Sequence, residues 1–450
     1  MSQATSWLPA QGTNRKILRA ASAVTAAGIA VKVVAMAKEL AVAGIFGRSD
    51  AMDAFLVAAL VPNLLVNLIS ESMNQALVPT LIRVREQEGK ERAQELLSNA
   101  MLWMCVLLLA TSAVMAIGAR SFFPLLGSHF PAAKLDLAIH LFYGLLPVVL
   151  LAGIASNCTA VLSTFERFAL PAIAPIVMPL MILAAALALG SRLGIWALVY
   201  ASLAGGVVHA GWMAWMMDAY GYRFSLRWHG MNAATREVAH QYGPVLLSSV
   251  VASGGLLVDQ SMAAMLPAGS VSALVYANRF VSVVITLLAG AVAAAITPYF
   301  SSMVARKSWD ECRHTLRSWL GITALVSIPI AIVLIVGAHL LVEATFQRGA
   351  FGADDTAVVT HVLTMYAIQI PFFVCSRVFY RFLLTMRRTD LIFYCGALNL
   401  GLDVVLNLVL MRWFGVAGIA LATSLWTMST FVFLWYWTRQ LLNAKEGANR

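Results

Sequence analysis

Twelve apolar stretches of about twenty residues or more recur along the chain, separated by short loops that carry most of its Arg and Lys. About twenty apolar residues is the length a helix needs to cross the hydrocarbon core of a bilayer. In hydrocarbon only helices and closed barrels satisfy every backbone N–H and C=O internally. The pattern predicts an all-α polytopic membrane protein of about 12 transmembrane helices. Pro, Gly and charge clusters place the spans near Ala21 to Phe46, Ala51 to Ile82, Leu97 to Gly118, Leu137 to Leu162, Ala172 to Gly190 and Ile195 to Tyr220. A second set covers Tyr242 to Leu266, Ser272 to Ala305, Leu316 to Leu341, Thr356 to Met386, Leu391 to Met411 and Val416 to Thr438. Hydrophobic residues are 60% of the chain and charged residues 12%, against about 25% charged in soluble domains, which excludes a water-soluble fold.

The net charge of +10 is a topology signal rather than a nucleic-acid footprint, because the cations sit between apolar runs. Across alternate loops, twenty Lys and Arg fall on one side and six on the other, with five inside spans. By the positive-inside rule both termini are expected in the cytoplasm. The first apolar stretch is too long for a signal-peptide core and has no cleavage site after it, so it is expected to be a retained helix.

A weak internal period divides the chain in half. Ala76-Leu-Val-Pro79 resembles Ala295-Ile-Thr-Pro298, Tyr143 and Pro147 match Tyr366 and Pro371, and Leu193-Gly194 parallels Phe414-Gly415. Six spans return the chain to its starting side, so the halves would be parallel repeats around an axis along the membrane normal. The expected organisation is a cytoplasmic segment 1–20, an N-lobe 21–220, a linker 221–241, a C-lobe 242–438 and a tail 439–450. Two six-helix lobes with a cleft between them suit a transporter.

Ionisable groups at membrane depth are costly unless they are paired or face water, which makes them functional candidates. The first span carries Lys32, Lys38 and Glu39; the second carries Asp53, Glu71 and Gln75. Lys32 and Glu39, seven residues apart, share a helix face about 10 Å from one another. Span seven adds Asp259, span eight Asn278 and Arg279, span ten Arg377 and Arg381, and span eleven Asp403 between Asn399 and Asn407. One reading is a hydrated cavity in which Lys32, Lys38 and Arg279 bind an anion such as a pyrophosphate, Arg supplying a two-pronged fork. The other is a set of structural ion pairs, with Lys38 reaching Asp53 and Asp403 holding either a helix-packing network or a cation. Glu39, Glu71, Gln75, Asp259 and Asp403 are the gating or coupling candidates.

No enzyme is expected. No Walker loop, H-E-x-x-H, G-x-S-x-G or GxGxxG context occurs. The five cysteines show no C-x-x-C or Cys/His spacing, so neither a metal nor a cofactor is expected. Energy would come from the membrane potential or a cation gradient.

Lys38-Glu-Leu-Ala-Val-Ala-Gly-Ile-Phe-Gly47, Asp53-Ala-Phe-Leu-Val-Ala, Pro62-Asn-Leu-Leu65, Glu71 and Gln75-Ala-Leu-Val-Pro79 resemble the MurJ/MviN family of lipid II flippases, within the multidrug/oligosaccharidyl-lipid/polysaccharide exporter superfamily. Phe165-Glu-Arg-Phe-Ala-Leu-Pro171, Ala174-Pro175, Gly269-Ser-Val-Ser272 and Tyr276-Ala-Asn-Arg279 extend the likeness over about the first 300 residues. The resemblance implies a V-shaped transporter that alternates between inward-open and outward-open forms in the bacterial inner membrane. It implies basic cavity residues at Lys32, Lys38 and Arg279 on the substrate diphosphate, with Asp53 and Asn278 beside them. Partners on this reading are an undecaprenyl-pyrophosphate-linked saccharide, membrane lipids and cell-wall or polysaccharide synthesis proteins, with no nucleic acid. The chain departs from the family at Val66 and Asn278, where an arginine and an acid are usual, and its Glu71 to Pro79 segment is one residue shorter. The family commonly has fourteen spans and this chain about twelve, which keeps a paralogue for another lipid-linked glycan in play. A cation-coupled multidrug or small-solute antiporter is the alternative; it would want a cavity of carboxylates and aromatics, against which Lys32 and Lys38 speak.

Overall fold

In the computed structural model, which describes residues 11–164 and 169–447, helices account for almost all of the chain. The Phe165 to Phe168 part of the family motif lies outside the described residues. The elements are α1 Gln11–Phe46, α2 Asp50–Leu65, α3 Ser72–Gln87, α4 Lys90–Leu126, α5 Ala132–Ser163, α6 Ala169–Ile173, α7 Val177–Leu193 and α8 Trp196–Ala219. They continue with α9 Ala233–Ala263, α10 Ser270–Ala305, α11 Trp309–Val336, α12 Ala338–Phe346, α13 Ala353–Ala367, α14 Gln369–Thr385, α15 Thr389–Phe414 and α16 Val416–Gly447.

Eleven stretches among the described residues are long and apolar enough to cross a membrane, where the sequence led us to expect about twelve. α1, 36 residues long, carries Lys32, Lys38 and Glu39. Three of the eleven are composite. The α2–α3 rod is joined by a π-helical turn at Val66–Glu71. The α13–α14 rod breaks at Ala367, the residue whose carbonyl Pro371 leaves without a helical N–H partner. Prolines also shape the fifth span, where a 3-10 turn at Ala174–Ile176 around Pro175 separates α6 from α7.

The chain forms two compact units, each described by itself. The first holds Met1–Ile45, Ala58–Arg120 and Ala138–Ser249; the second holds Phe46–Val57, Ser121–Leu137 and Val250–Arg450. The division falls inside α9, and the second unit includes the α1–α2 and α4–α5 turns.

In the first unit, α7 lies along α8, and Gly153 brings α5 close to α4 and the π turn: a Cβ there would run into Leu108 and lie 3.1 Å from the Ser70 hydroxyl. In the second, α14 packs against α10, α11 and α16. The core of that unit is aromatic. Tyr276 and Phe346 have ring centroids 5.3 Å apart, Phe346 and Phe351 5.6 Å, and the Tyr276 hydroxyl donates to the Gly47 carbonyl at 3.1 Å. Outward-facing positions of α11, including Leu325, Val333 and Val336, are strongly exposed, as expected of side chains whose solvent is lipid.

Candidate functional site

Polar groups inside the spans gather into three places. The first lies on α1 to α3 in the first unit. Lys38 donates to its neighbour Glu39 at 2.7 Å, and the Glu39 carboxylate is buried. Lys32, about two turns closer to the N-terminus, is exposed and forms no ion pair among the described residues. It lies about 20 Å along the helix from Phe46, too far for a lysine stem to reach that end. Asn63, Asn67, Glu71 and Gln75 are all exposed. Four-residue spacing drifts about 40° per step around an α-helix. The wider π turn at Val66–Glu71 takes up that drift and keeps the polar row on one face, a device frequent at functional sites.

The second place joins the α1–α2 turn to the start of α10. Asp53 is 1% exposed. One of its oxygens accepts the Ser272 N–H at 2.9 Å; the other accepts the Gly269 N–H at 2.7 Å and the Lys134 ammonium at 3.2 Å. It thus caps a helix to which it does not belong, satisfying first-turn donors that α10 leaves open. Lys134 also donates to Asp50 at 2.6 Å and lies 4.2 Å from the Phe130 ring centroid. Gly269 has φ +83°, and a Cβ there would fall 2.7 Å from the Arg48 carbonyl oxygen. Arg48 donates to the Gly269 carbonyl at 2.9 Å and to Asp355 at 3.2 Å, while Asp355 accepts the Gly352 N–H that opens α13. The cation paired with Asp53 is Lys134, not Lys38 as the sequence suggested. Asn278 and Arg279 lie on the exposed face of α10, about 13 Å along the helix from Ser270.

The third place is built from α9, α15 and α16. The Asn407 amide donates to Asp259 at 2.8 Å and to Asp403 at 3.1 Å, and Thr423 donates to Asp259 at 3.2 Å. Asp403 and Asn407 are essentially inaccessible, yet Asp403 Oδ2 and Asn407 Oδ1 meet no hydrogen-bond donor among the described residues. Two carboxylates bridged by one amide cannot both stay charged in hydrocarbon without a cation or a proton. The donor set is entirely oxygen, which suits a hard cation and not a thiophilic one. Asp403 and Asn407, one turn apart, were legible in the sequence, and so was Asp259. Thr423 carried no signal, being one of several Ser and Thr hydroxyls in its span. Lys134, Arg48 and Asp355 lie between the predicted spans, where a charge carries no signal of depth.

Helices of this length and apolarity with charged groups inside their spans define a polytopic membrane protein. Its fold is similar to that of the lipid II flippase MurJ in an inward closed conformation, with a TM-score of 0.80 at 20% identity over 92% of this chain and 87% of that one. It is also similar to an inward-facing multidrug resistance MATE family transporter of the MOP superfamily, with a TM-score of 0.73 at 13% identity over 93% and 96% of the two chains. The family model for lipid II flippase MurJ matches residues 42–448, and the chain belongs to that family. Relatives include the lipid II flippase MurJ of Burkholderia cenocepacia, 28% identical over 79% of this chain and 70% of that protein. The probable lipid II flippase MurJ of Synechocystis is 23% identical over 98% and 85%. Membership makes the chain a bacterial inner-membrane transporter rather than an enzyme.

Proposed function

We propose that the chain carries an undecaprenyl-pyrophosphate-linked saccharide, lipid II or a closely related precursor, from the cytoplasmic to the periplasmic leaflet by alternating access, with both termini in the cytoplasm. Lys32 is the observation that carries the reading: an exposed cation far from the nearer helix end, with no carboxylate paired to it among the described residues. A charge so placed needs water and an anion. The diphosphate of a lipid-linked sugar supplies that anion. Lys38 and Arg279 are the further diphosphate contacts on this reading, Asn278 and the Asn63 to Gln75 row are polar contacts to the sugar, and Asp53 fixes the start of α10, which bears Arg279. The Asp259, Asp403, Asn407 and Thr423 cluster takes the coupling cation or a proton, so that a gradient drives the cycle. Cell-wall or polysaccharide synthesis proteins are the partners that would hand over or consume the lipid.

Depletion of a host's own lipid II flippase gives the test. The chain is expected to restore growth, and Lys32→Ala and Arg279→Ala to fail while inserting normally into the membrane. Failure of the unaltered chain, with loss of a surface polysaccharide when its gene is deleted, would move the substrate to a related lipid-linked glycan. Wild-type rescue by Lys32→Ala would remove Lys32 from the site.

A further inference from the structure

A second basic pair lies on α14. That helix buries Ile370, Val374, Val378, Phe379, Phe382 and Leu383, and leaves Phe373, Arg377, Tyr380 and Arg381 half-exposed along the opposite stripe. The Arg377 guanidinium lies 4.3 Å from the Phe373 ring centroid and 5.5 Å from that of Tyr380. Aromatic rings one turn before and one turn after hold the group, and its N–H groups make no hydrogen bond among the described residues. Neither Arg377 nor Arg381 forms an ion pair with any described carboxylate. The charged neighbour of Arg377 on its own helix is Arg381, another cation.

Depth separates the two. α14 ends at Thr385, which puts Arg381 about 6 Å and Arg377 about 12 Å along the helix from its end. An arginine that serves only to anchor the helix at the membrane surface belongs at the end, where Arg387 and Arg388 already stand. It gains nothing from a second guanidinium a turn deeper, repelled by the first. An oxyanion bound between them removes that repulsion and meets a fork already fixed in orientation.

We propose that Arg377 and Arg381 form a binding site for the phosphate group of a membrane lipid, separate from the lysines of α1. The proposal rests on the flippase reading only for its first source of phosphate, the substrate diphosphate; the phosphodiester of an anionic phospholipid is the second. Arg377 binds through two parallel N–H bonds and Arg381 adds charge from the turn nearer the surface.

The purified full chain in neutral detergent tests this, titrated separately with farnesyl pyrophosphate and with dioleoyl phosphatidylglycerol, and followed by native mass spectrometry. Arg377→Gln is expected to weaken at least one probe about tenfold, and Arg377→Lys to recover only part of the loss because an ammonium has no planar fork. Loss confined to farnesyl pyrophosphate assigns the site to substrate, and loss confined to phosphatidylglycerol assigns it to bulk lipid. Unchanged affinity for both probes in Arg377→Gln and Arg381→Gln overturns the proposal. Arg381→Gln, nearer the helix end, decides the matter if Arg377→Gln does not fold. Growth rescue by the unaltered chain is scored alongside: lost binding in the α14 variants together with failed rescue would sink the lipid II reading and leave this site standing.

Discussion

Asp53 and Asp403 are both buried carboxylates of the second unit, each about 1% exposed, and they are satisfied in opposite ways. Both oxygens of Asp53 are engaged, by two backbone N–H groups and an ammonium. Asp403 shares one amide with a second acid, and its other oxygen meets no donor among the described residues. A buried charge with a full set of fixed partners holds architecture together. One whose partners are another acid and an amide is incomplete until a cation or a proton arrives. The contrast separates residues that build the transporter from residues that run it, a distinction that charge and depth alone do not make.

The largest effect is expected at Asp53. Asp53→Asn leaves Lys134 with Asp50 as its one carboxylate and turns an amide toward the α10 N–H groups, a loss of about 3 kcal/mol. Thermal unfolding of the detergent-solubilised protein should show a large fall in midpoint, with inactivity following from misfolding. A variant that melts like the wild type would break the comparison at its architectural end. Gly269→Ala should follow at about 1–3 kcal/mol, since alanine must adopt the left-handed φ and its methyl group meets Arg48.

At Asp403 the expectation inverts. Asp403→Asn and Asp259→Asn remove one of two adjacent acids, so in sodium-free choline buffer they should melt at or above the wild type while losing transport. Ligand linkage gives the sharper readout. If the cluster binds sodium, excess NaCl should stabilise the wild type by about 2.7 kcal/mol at a hundredfold over Kd and leave both variants unmoved. Equal salt shifts in all three proteins would exclude sodium there and leave the proton.

Much of this was legible because hydrocarbon is an unforgiving solvent. A span is a run of apolar residues, and Lys32, Asp259 and Asp403 stand out as breaches of it. What escaped was pairing, which depends on distances the sequence does not encode. Lys134 and Arg48 counted as outer-loop cations, yet one neutralises Asp53 and the other ties Gly269 to Asp355. The π turn under the Asn63 to Gln75 row has no compositional mark.

Lys32 supplies the smallest effect on stability and the most direct check on function. An exposed side chain with no partner contributes little to folding, so Lys32→Gln should shift stability by no more than about 0.5 kcal/mol. Transport should nevertheless fall sharply, because the amide keeps the length of a polar side chain but offers the diphosphate no charge. Lys32→Arg should retain transport, since a guanidinium restores the cation and adds a fork. The two substitutions separate charge from shape: a Gln variant that transports normally would mean that Lys32 merely faces water, and a dead Arg variant that the pocket requires an ammonium's compact geometry.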